Sequence, residues 1–353
     1  MKGGSMRYPI QVGILGLGRS GWDIHARTLA QMGEQYRITA VCDPVQARLD
    51  EAHQKFNCHT YPNLEKFLMD DQVELVVVAS PSHLHKDNTI QALQAGKHVL
   101  VEKPMALSTA EVDEMIAAAH TAGRVLTVNQ NTRYHPDLLL IRGVIDSGVL
   151  GQIVEMRLTN ASFGRRWDWQ TLKTYGGGIL NNNGAHLIDW MLQFFDDPDP
   201  RVFCHMQTTP LYAGDAESHV KLVVRPSDGP LVDIELTHAC AYPQPHCLIM
   251  ATQGSLVSDR RLVRWKYYLP QDLPPLQLDT EVANRQYNSE EIPWHEETRQ
   301  VEPDPTWGAR GVYEDLYRTL RDGAPLAITP ASVRRQIALI EKCRSQNPNF
   351  AAQ

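Results

Sequence analysis

No run of apolar residues in this chain approaches the roughly 20 that a membrane helix needs, so no spanning segment is expected. Paired cysteine motifs are missing as well. The six cysteines, Cys42, Cys58, Cys204, Cys240, Cys247 and Cys343, are scattered and form no Cys-x-x-Cys. That excludes an obvious disulfide framework and fits reduced thiols in the cytoplasm. There is no excess of basic charge: 34 lysines and arginines stand against 41 aspartates and glutamates, and the net charge of −7 speaks against a broad nucleic-acid surface. The fourteen histidines include no His-Glu-x-x-His, and no Cys/His cluster has zinc spacing, so no metal site is expected. A Gly-x-Ser-x-Gly nucleophile elbow is also missing. Residues 1–8 lack the apolar stretch of a signal peptide and read as a flexible leader.

What is present points to two packed domains. A length of 353 residues, 42% of them apolar, suits two cores. In residues 9–130, short apolar runs alternate with helical patterns. Strands are expected at Gln11–Leu15, Arg37–Cys42, Glu74–Ala79, Lys97–Val101 and Val125–Val128. Helices are expected over Ser20–Met32, Val45–Phe56, Leu84–Ala95 and Ser108–Thr121. Leu75-Val76-Val77-Val78 is apolar throughout, as a strand covered on both faces must be. The fold class is therefore α/β, with a doubly wound parallel sheet in the N-terminal domain.

From about residue 131 the rhythm changes. Strand-like stretches crowd together at Ile153–Ala161, Val202–Thr208, His219–Val224, Leu231–Ala239 and Cys247–Ala251. An antiparallel sheet in a second domain, residues 131–353, is the expectation. Pro270–Pro305 is rich in proline and polar residues and reads as a loop or arm. Helices near Val312–Arg321 and Pro330–Arg344 close the chain.

Gly16-Leu17-Gly18-Arg19-Ser20-Gly21 matches G-x-G-x-x-G between a strand and a helix. Gly16 permits the tight turn, Gly18 lets backbone approach a pyrophosphate, and Gly21 lets helix pack closely on strand. The helix N-terminus adds partial positive charge for phosphates. Asp43 ends the second strand, where a carboxylate accepts bonds from ribose hydroxyls and repels a 2′-phosphate. NAD is thus favoured over NADP, although Arg48 stands nearby.

Ser80-Pro81-Ser82-His83-Leu84-His85 and Glu102-Lys103-Pro104 each follow an expected strand. With the glycine motif, they resemble the glucose–fructose oxidoreductase / inositol dehydrogenase / rhizopine-catabolism (Gfo/Idh/MocA) family. Asn131-Thr132-Arg133-Tyr134-His135-Pro136 resembles that family's crossover, and the segment Gly176 to His186 its glycine-rich catalytic stretch. The resemblance implies a Rossmann domain followed by an α/β domain with a large, open, mostly antiparallel sheet. It implies a homodimer or homotetramer formed through that sheet. It also implies a nicotinamide-dependent oxidoreductase acting on a sugar, polyol or sugar derivative. The cofactor would be held by the glycine motif (Arg19 and Ser20 included), Asp43, Ser80, Pro81, His85, Glu102 and Lys103.

Hydride transfer from an alcohol needs a base for the hydroxyl proton and a charge that steadies the alkoxide. The resemblance puts Lys103 and His186 in these roles, with His186 as acid/base and Lys103 as the electrostatic group, the two roles being exchangeable. It also implies a cis bond before Pro104. Many family members carry an aspartate four residues before the histidine. Here Asn182 stands in its place, and an amide cannot accept a proton as a base. Asn182 and Asn183 suit the reading of hydroxyl groups. Arg166 and Trp167 suit contact with a sugar's polar groups and C–H face, and Tyr134 is a further candidate for the substrate site. Two other readings stay open: a glycoside hydrolase or lyase that recycles its NAD, and a non-catalytic sugar or nucleotide sensor.

Overall fold

The computed structural model describes residues 8–278 and 289–350. Its first sheet contains β1 (Ile10–Leu15), β2 (Tyr36–Cys42), β3 (His59–Tyr61), β4 (Leu75–Val78), β5 (His98–Val101) and β6 (Leu126–Val128). All are paired in parallel in the order β3-β2-β1-β4-β5-β6. Every residue of β4 is buried, because helices cover both faces of a parallel sheet. The order of connection reverses between β1 and β4, which opens a crevice at the carboxyl ends of those strands. The short strand β3 and the helix Leu64–Leu68 were not expected. Three half-exposed residues, His59 to Tyr61, carry too little hydrophobic pattern to announce a strand.

The second sheet contains β7 (Ile153–Ala161), β8 (Arg201–Gln207), β9 (His219–Arg225), β10 (Leu231–Thr237), β11 (Cys247–Ala251), β12 (Gly254–Ser258), β13 (Leu262–Tyr267) and β14 (His295–Gln300). Their order is β14-β13-β12-β11-β7-β10-β9-β8. Among the described strands of this sheet only β7 and β10 pair in parallel; the other pairs are antiparallel. One face is packed. In β9, Val220, Leu222 and Val224 point into the core while the residues between them do not.

The reading of Pro270–Pro305 as a loop needs correction, since β14 lies inside it. Its sequence, His-Glu-Glu-Thr-Arg-Gln, is polar on both faces because it sits at the sheet's edge with little packed against it. No alternation was there to read. Residues 279–288 of that stretch lie outside the described residues.

The two closing helices, Ala309–Asp322 and Pro330–Ser345, form where expected. Their packing redraws the domains, however. Val312, Tyr313, Leu316, Val333 and Ile337 belong to the core of the first sheet, while Leu339, Ile340 and Cys343 belong to that of the second. The Rossmann unit is therefore completed by the C-terminal chain. None of the described helices is long and apolar enough to cross a membrane.

At the crossover, the Arg133 guanidinium donates to both Asp189 carboxylate oxygens at 2.7 Å. Asp189 is 1% exposed and lies on the helix Ala185–Met191, which also carries His186. Removing one partner strands a buried charge. Arg133→Ala is expected to cost about 3–5 kcal/mol, read as a lower denaturant midpoint. Arg133→Ala combined with Asp189→Asn should recover part of that loss. An undiminished loss in the double variant would show that the pair does not carry it.

Candidate active site

The glycine loop is shaped as the motif requires. Gly16 has φ +93°, and a Cβ there would lie 2.7 Å from the Ala79 carbonyl oxygen. A Cβ on Gly21 would come within 1.9 Å of the Gly16 oxygen. Around Gly18 a Cβ would meet nothing within 4 Å, so this glycine faces open space of the kind a phosphate needs. The helix that follows starts with a π-wound stretch, Ser20–Ala26, before continuing as Arg27–Ala30. The Asp43 carboxylate accepts from Leu17 N at 2.7 Å and from Val45 N at 2.9 Å. It both pins the loop and caps the next turn, with Arg48 3.3 Å away.

Two cavities open here. The larger, about 840 Å³, is lined by Gly16, Gly18, Asp43, Ser80, Pro81 and His85, among others. The smaller, about 560 Å³, is lined by Asn182, Asn183, His186, His246, Arg260 and Trp307, among others. Arg19, Ser20, Glu102 and Lys103 line both. The larger cavity runs from the glycine loop to Asp43, the two features that engage the pyrophosphate and ribose of a dinucleotide. The residues present fit such a cofactor.

Lys103 stands on the shared wall. Its Nζ donates to the backbone oxygen and to Oδ1 of Asn182, each at 3.1 Å. Its peptide bond to Pro104 is cis. Burial lowers the ammonium to about 8; Glu102 opposes this, and Arg19 and Arg166 add to it. Beside it, burial would raise the Glu102 carboxyl, yet the His25 and Asn129 hydrogen bonds and the Lys103 charge hold it at about 2. His25 reaches Glu102 at 2.8 Å with one ring nitrogen and the Tyr313 hydroxyl at 2.8 Å with the other.

His186 pairs its Nδ1 with the Thr132 hydroxyl at 2.6 Å. Burial and then the Lys103 charge keep its imidazole well below its ordinary proton affinity. It is therefore neutral at physiological pH, the form that accepts a proton. Nearby, Asn129 Oδ1 is buried without a hydrogen-bond partner on a wall of this cavity, as an acceptor awaiting a ligand hydroxyl would be.

The structure brings Lys103, Asn182, Asn183 and His186 together. Three other substrate candidates lie elsewhere. The Tyr134 hydroxyl donates to Asp315 and its ring packs on Gly311, in neither cavity. Trp167 is 80% exposed and lines neither. Arg166 lines the larger cavity instead, held by Asp168 at 2.8 Å and Gln170 at 2.6 Å. Among the cofactor candidates, His85 is buried between the Pro104 and Ser80 carbonyls, at 2.7 and 2.9 Å. His83 packs on Tyr175. Sequence reasoning missed Thr132, although it lies in the quoted crossover motif, and also His25, Asn129, His246, Arg260 and Trp307. No spacing links the last three to Lys103.

Two family models match the chain: an oxidoreductase family with an NAD-binding Rossmann fold over residues 10–130, and the GFO/IDH/MocA C-terminal domain over residues 138–257. An uncharacterized oxidoreductase of Schizosaccharomyces pombe is 32% identical over 54% of this chain and 53% of its own length. The Bacillus subtilis scyllo-inositol 2-dehydrogenase (NADP(+)) is 33% identical over 54% of this chain and 52% of its own. The alignments thus span about half the length of these curated relatives. A solved structure from B. subtilis superposes with a TM-score of 0.80 at 22% identity, covering 96% of this chain and 97% of that one. With both of its domains matched and its fold shared, the chain belongs to the Gfo/Idh/MocA family of NAD(P)-binding oxidoreductases.

Proposed function

We propose that this protein transfers a hydride between NAD and a hydroxyl-bearing carbon of a sugar, polyol or sugar derivative. The observation that carries the reading is Lys103. Its ammonium lies on the wall common to a dinucleotide-shaped cavity and a polar cavity holding a neutral histidine. When bound, the nicotinamide supplies the hydride acceptor. The chain supplies the rest. His186, neutral and braced by Thr132, takes the proton of the substrate hydroxyl. Lys103, fixed by Asn182, offers a positive charge where the oxygen becomes negative. Asn183 and the unpartnered Asn129 oxygen suit neighbouring hydroxyls.

Asn182 is neutral, so it holds Lys103 without the ion pair an aspartate would give. This keeps the lysine's proton affinity low. The Asp43 carboxylate, set at the end of β2, favours NAD because it would repel a 2′-phosphate. We further propose that copies of the chain pair through the open face of the second sheet, where two apolar pairs, Phe203 with Val223 and Leu248 with Val257, flank Asp233 and Arg157 on the central strands.

With NAD⁺ and a panel of aldoses, inositols, sugar acids and aminosugars, NADH should form and Lys103→Ala should lower kcat by roughly 10²–10⁴-fold. Tight NAD⁺ binding with no NADH across the panel would move the function toward cofactor-recycling cleavage or sensing. The rate should fall as pH rises through about 8, where Lys103 loses its charge. Asn182→Asp places a carboxylate about 3 Å from Nζ and should carry that limb upward by about 1 pH unit or more. A rate that instead climbs through pH 8 would make Lys103 the base. NADP⁺ should show a KM at least about tenfold above that of NAD⁺, and Asp43→Ala should narrow the gap. Equal KM values in the unmodified protein would remove Asp43 from cofactor selection.

A further inference from the structure

Three non-glycine residues in the described chain have left-handed φ: Asn57 at 50°, Arg260 at 79° and Trp307 at 54°. Asn57 ends the helix Gln46–Phe56, where asparagine is ordinary. The other two are bulky residues in a conformation that bulky residues rarely adopt. They come from separate loops 47 positions apart in sequence, and both line the smaller cavity. Backbone outliers of this kind gather where a site needs a side chain in one place.

The Arg260 turn is built to hold that conformation. Asp259 Oδ1 accepts from both Arg261 N and Leu262 N at 2.9 Å, and Arg260 N donates to Ser258 Oγ at 3.1 Å. The residue so placed is exposed and lines the smaller cavity. Among the described residues, the Arg260 guanidinium makes no hydrogen bond and no ion pair, yet it lies close to a cluster of histidines. Burial weakens proton binding at His135, His186 and His246, and the Arg260 charge adds to that effect at all three. The carboxylate whose field reaches Arg260, Asp137, is 3% exposed and forms no ion pair with it.

The other charges on this wall are accounted for. Asp23 pairs with Arg27 at 3.7 Å, Glu102 is satisfied by His25 and Asn129, and Lys103 is held by Asn182. Arg19 also makes no hydrogen bond or ion pair among the described residues, but it sits in the glycine loop and borders the larger cavity, where cofactor phosphates would account for it. Arg260 is outside that cavity. A guanidinium is a planar fork of donors matched to carboxylate or phosphate oxygens.

We infer that the substrate of this site carries an anionic group, a carboxylate or a phosphate, which Arg260 binds beside His135 and His246, while Trp307 covers an apolar face of the sugar. The inference rests on the reading of this cavity as the substrate site.

The test is calorimetric titration of the NAD⁺-saturated protein. The acidic probes are D-glucuronate, D-galacturonate, D-gluconate and D-glucose 6-phosphate; the neutral ones are D-glucose and myo-inositol. At least one acidic probe should bind tenfold or more tightly than both neutral ones. Arg260→Gln should close that gap, and Arg260→Lys should keep part of it. Whether the sugar acids or the phosphate show the gap tells which anion the site takes. If Arg260→Gln does not fold, because the buried Asp137 carboxylate loses a nearby positive charge, the Lys variant and the wild-type gap decide. Neutral probes binding as tightly as acidic ones, a gap that survives Arg260→Gln, or no acidic probe binding would each overturn the inference. NADH made from a neutral sugar and lost in Lys103→Ala, without acid binding, would keep the oxidoreductase reading and sink this one. Acid binding lost in Arg260→Gln, without any NADH, would do the reverse.

Discussion

The burial of the Glu102 carboxylate is the constraint around which the site is built. The residue is 4% exposed, and a carboxylate taken that far out of water must be met by donors. It collects them from three directions. His25 comes from the helix that follows the glycine loop, Asn129 from the end of β6, and the Lys103 N–H from its own chain at 3.1 Å. Tyr313 then fixes the far side of His25 from a helix more than 280 residues away in sequence. Satisfying one buried charge thus ties the first helix, the central sheet and the C-terminal helix to the backbone that carries Lys103. The C-terminal chain returns to the first domain at the same place, where Tyr313 and Val312 complete its core.

The second half of the site is held from across the crossover. Lys103 on the Rossmann side grips Asn182, Thr132 grips His186, and Arg133 grips Asp189 on the same helix as His186. These three contacts bring groups from the two parts of the chain to one wall. They also settle the electrostatics. Burial and neighbouring cations favour a neutral His186 and a lysine that gives up its proton near pH 8. Glu102 is the counter-charge that keeps the lysine from falling further. An asparagine at position 182 belongs to this balance, since it orients the ammonium without adding charge.

The local parts of this arrangement were legible in the sequence. Period and turn chemistry act over neighbouring residues, so β1, β2, β4, β5, β6 and the helices between them stood out, as did the glycine loop with its three distinct steric demands. β7 and β11 were placed residue for residue. Where a strand was short, like β3, or lay at an exposed edge, like β14, little apolar area was buried and the pattern had nothing to record. The lysine and histidine were found because their segments resemble known ones. Tyr134 and Trp167 were substrate candidates on residue type alone, which cannot tell a side chain facing a cavity from one facing a helix or solvent; the structure places both outside the two cavities.

By itself, then, the sequence determined the alternation of elements and the glycine loop, and its resemblance to known segments singled out Lys103 and His186. Tertiary structure alone decided which charges meet. It set His25 and Tyr313 against Glu102, and it carried Arg260 and Trp307 from distant loops into one cavity. The reason is physical. Hydrophobic periodicity and backbone sterics are fixed by adjacent residues, whereas proton affinity and ligand complementarity depend on desolvation and on charges a few ångströms apart, and those distances exist only once the chain has folded.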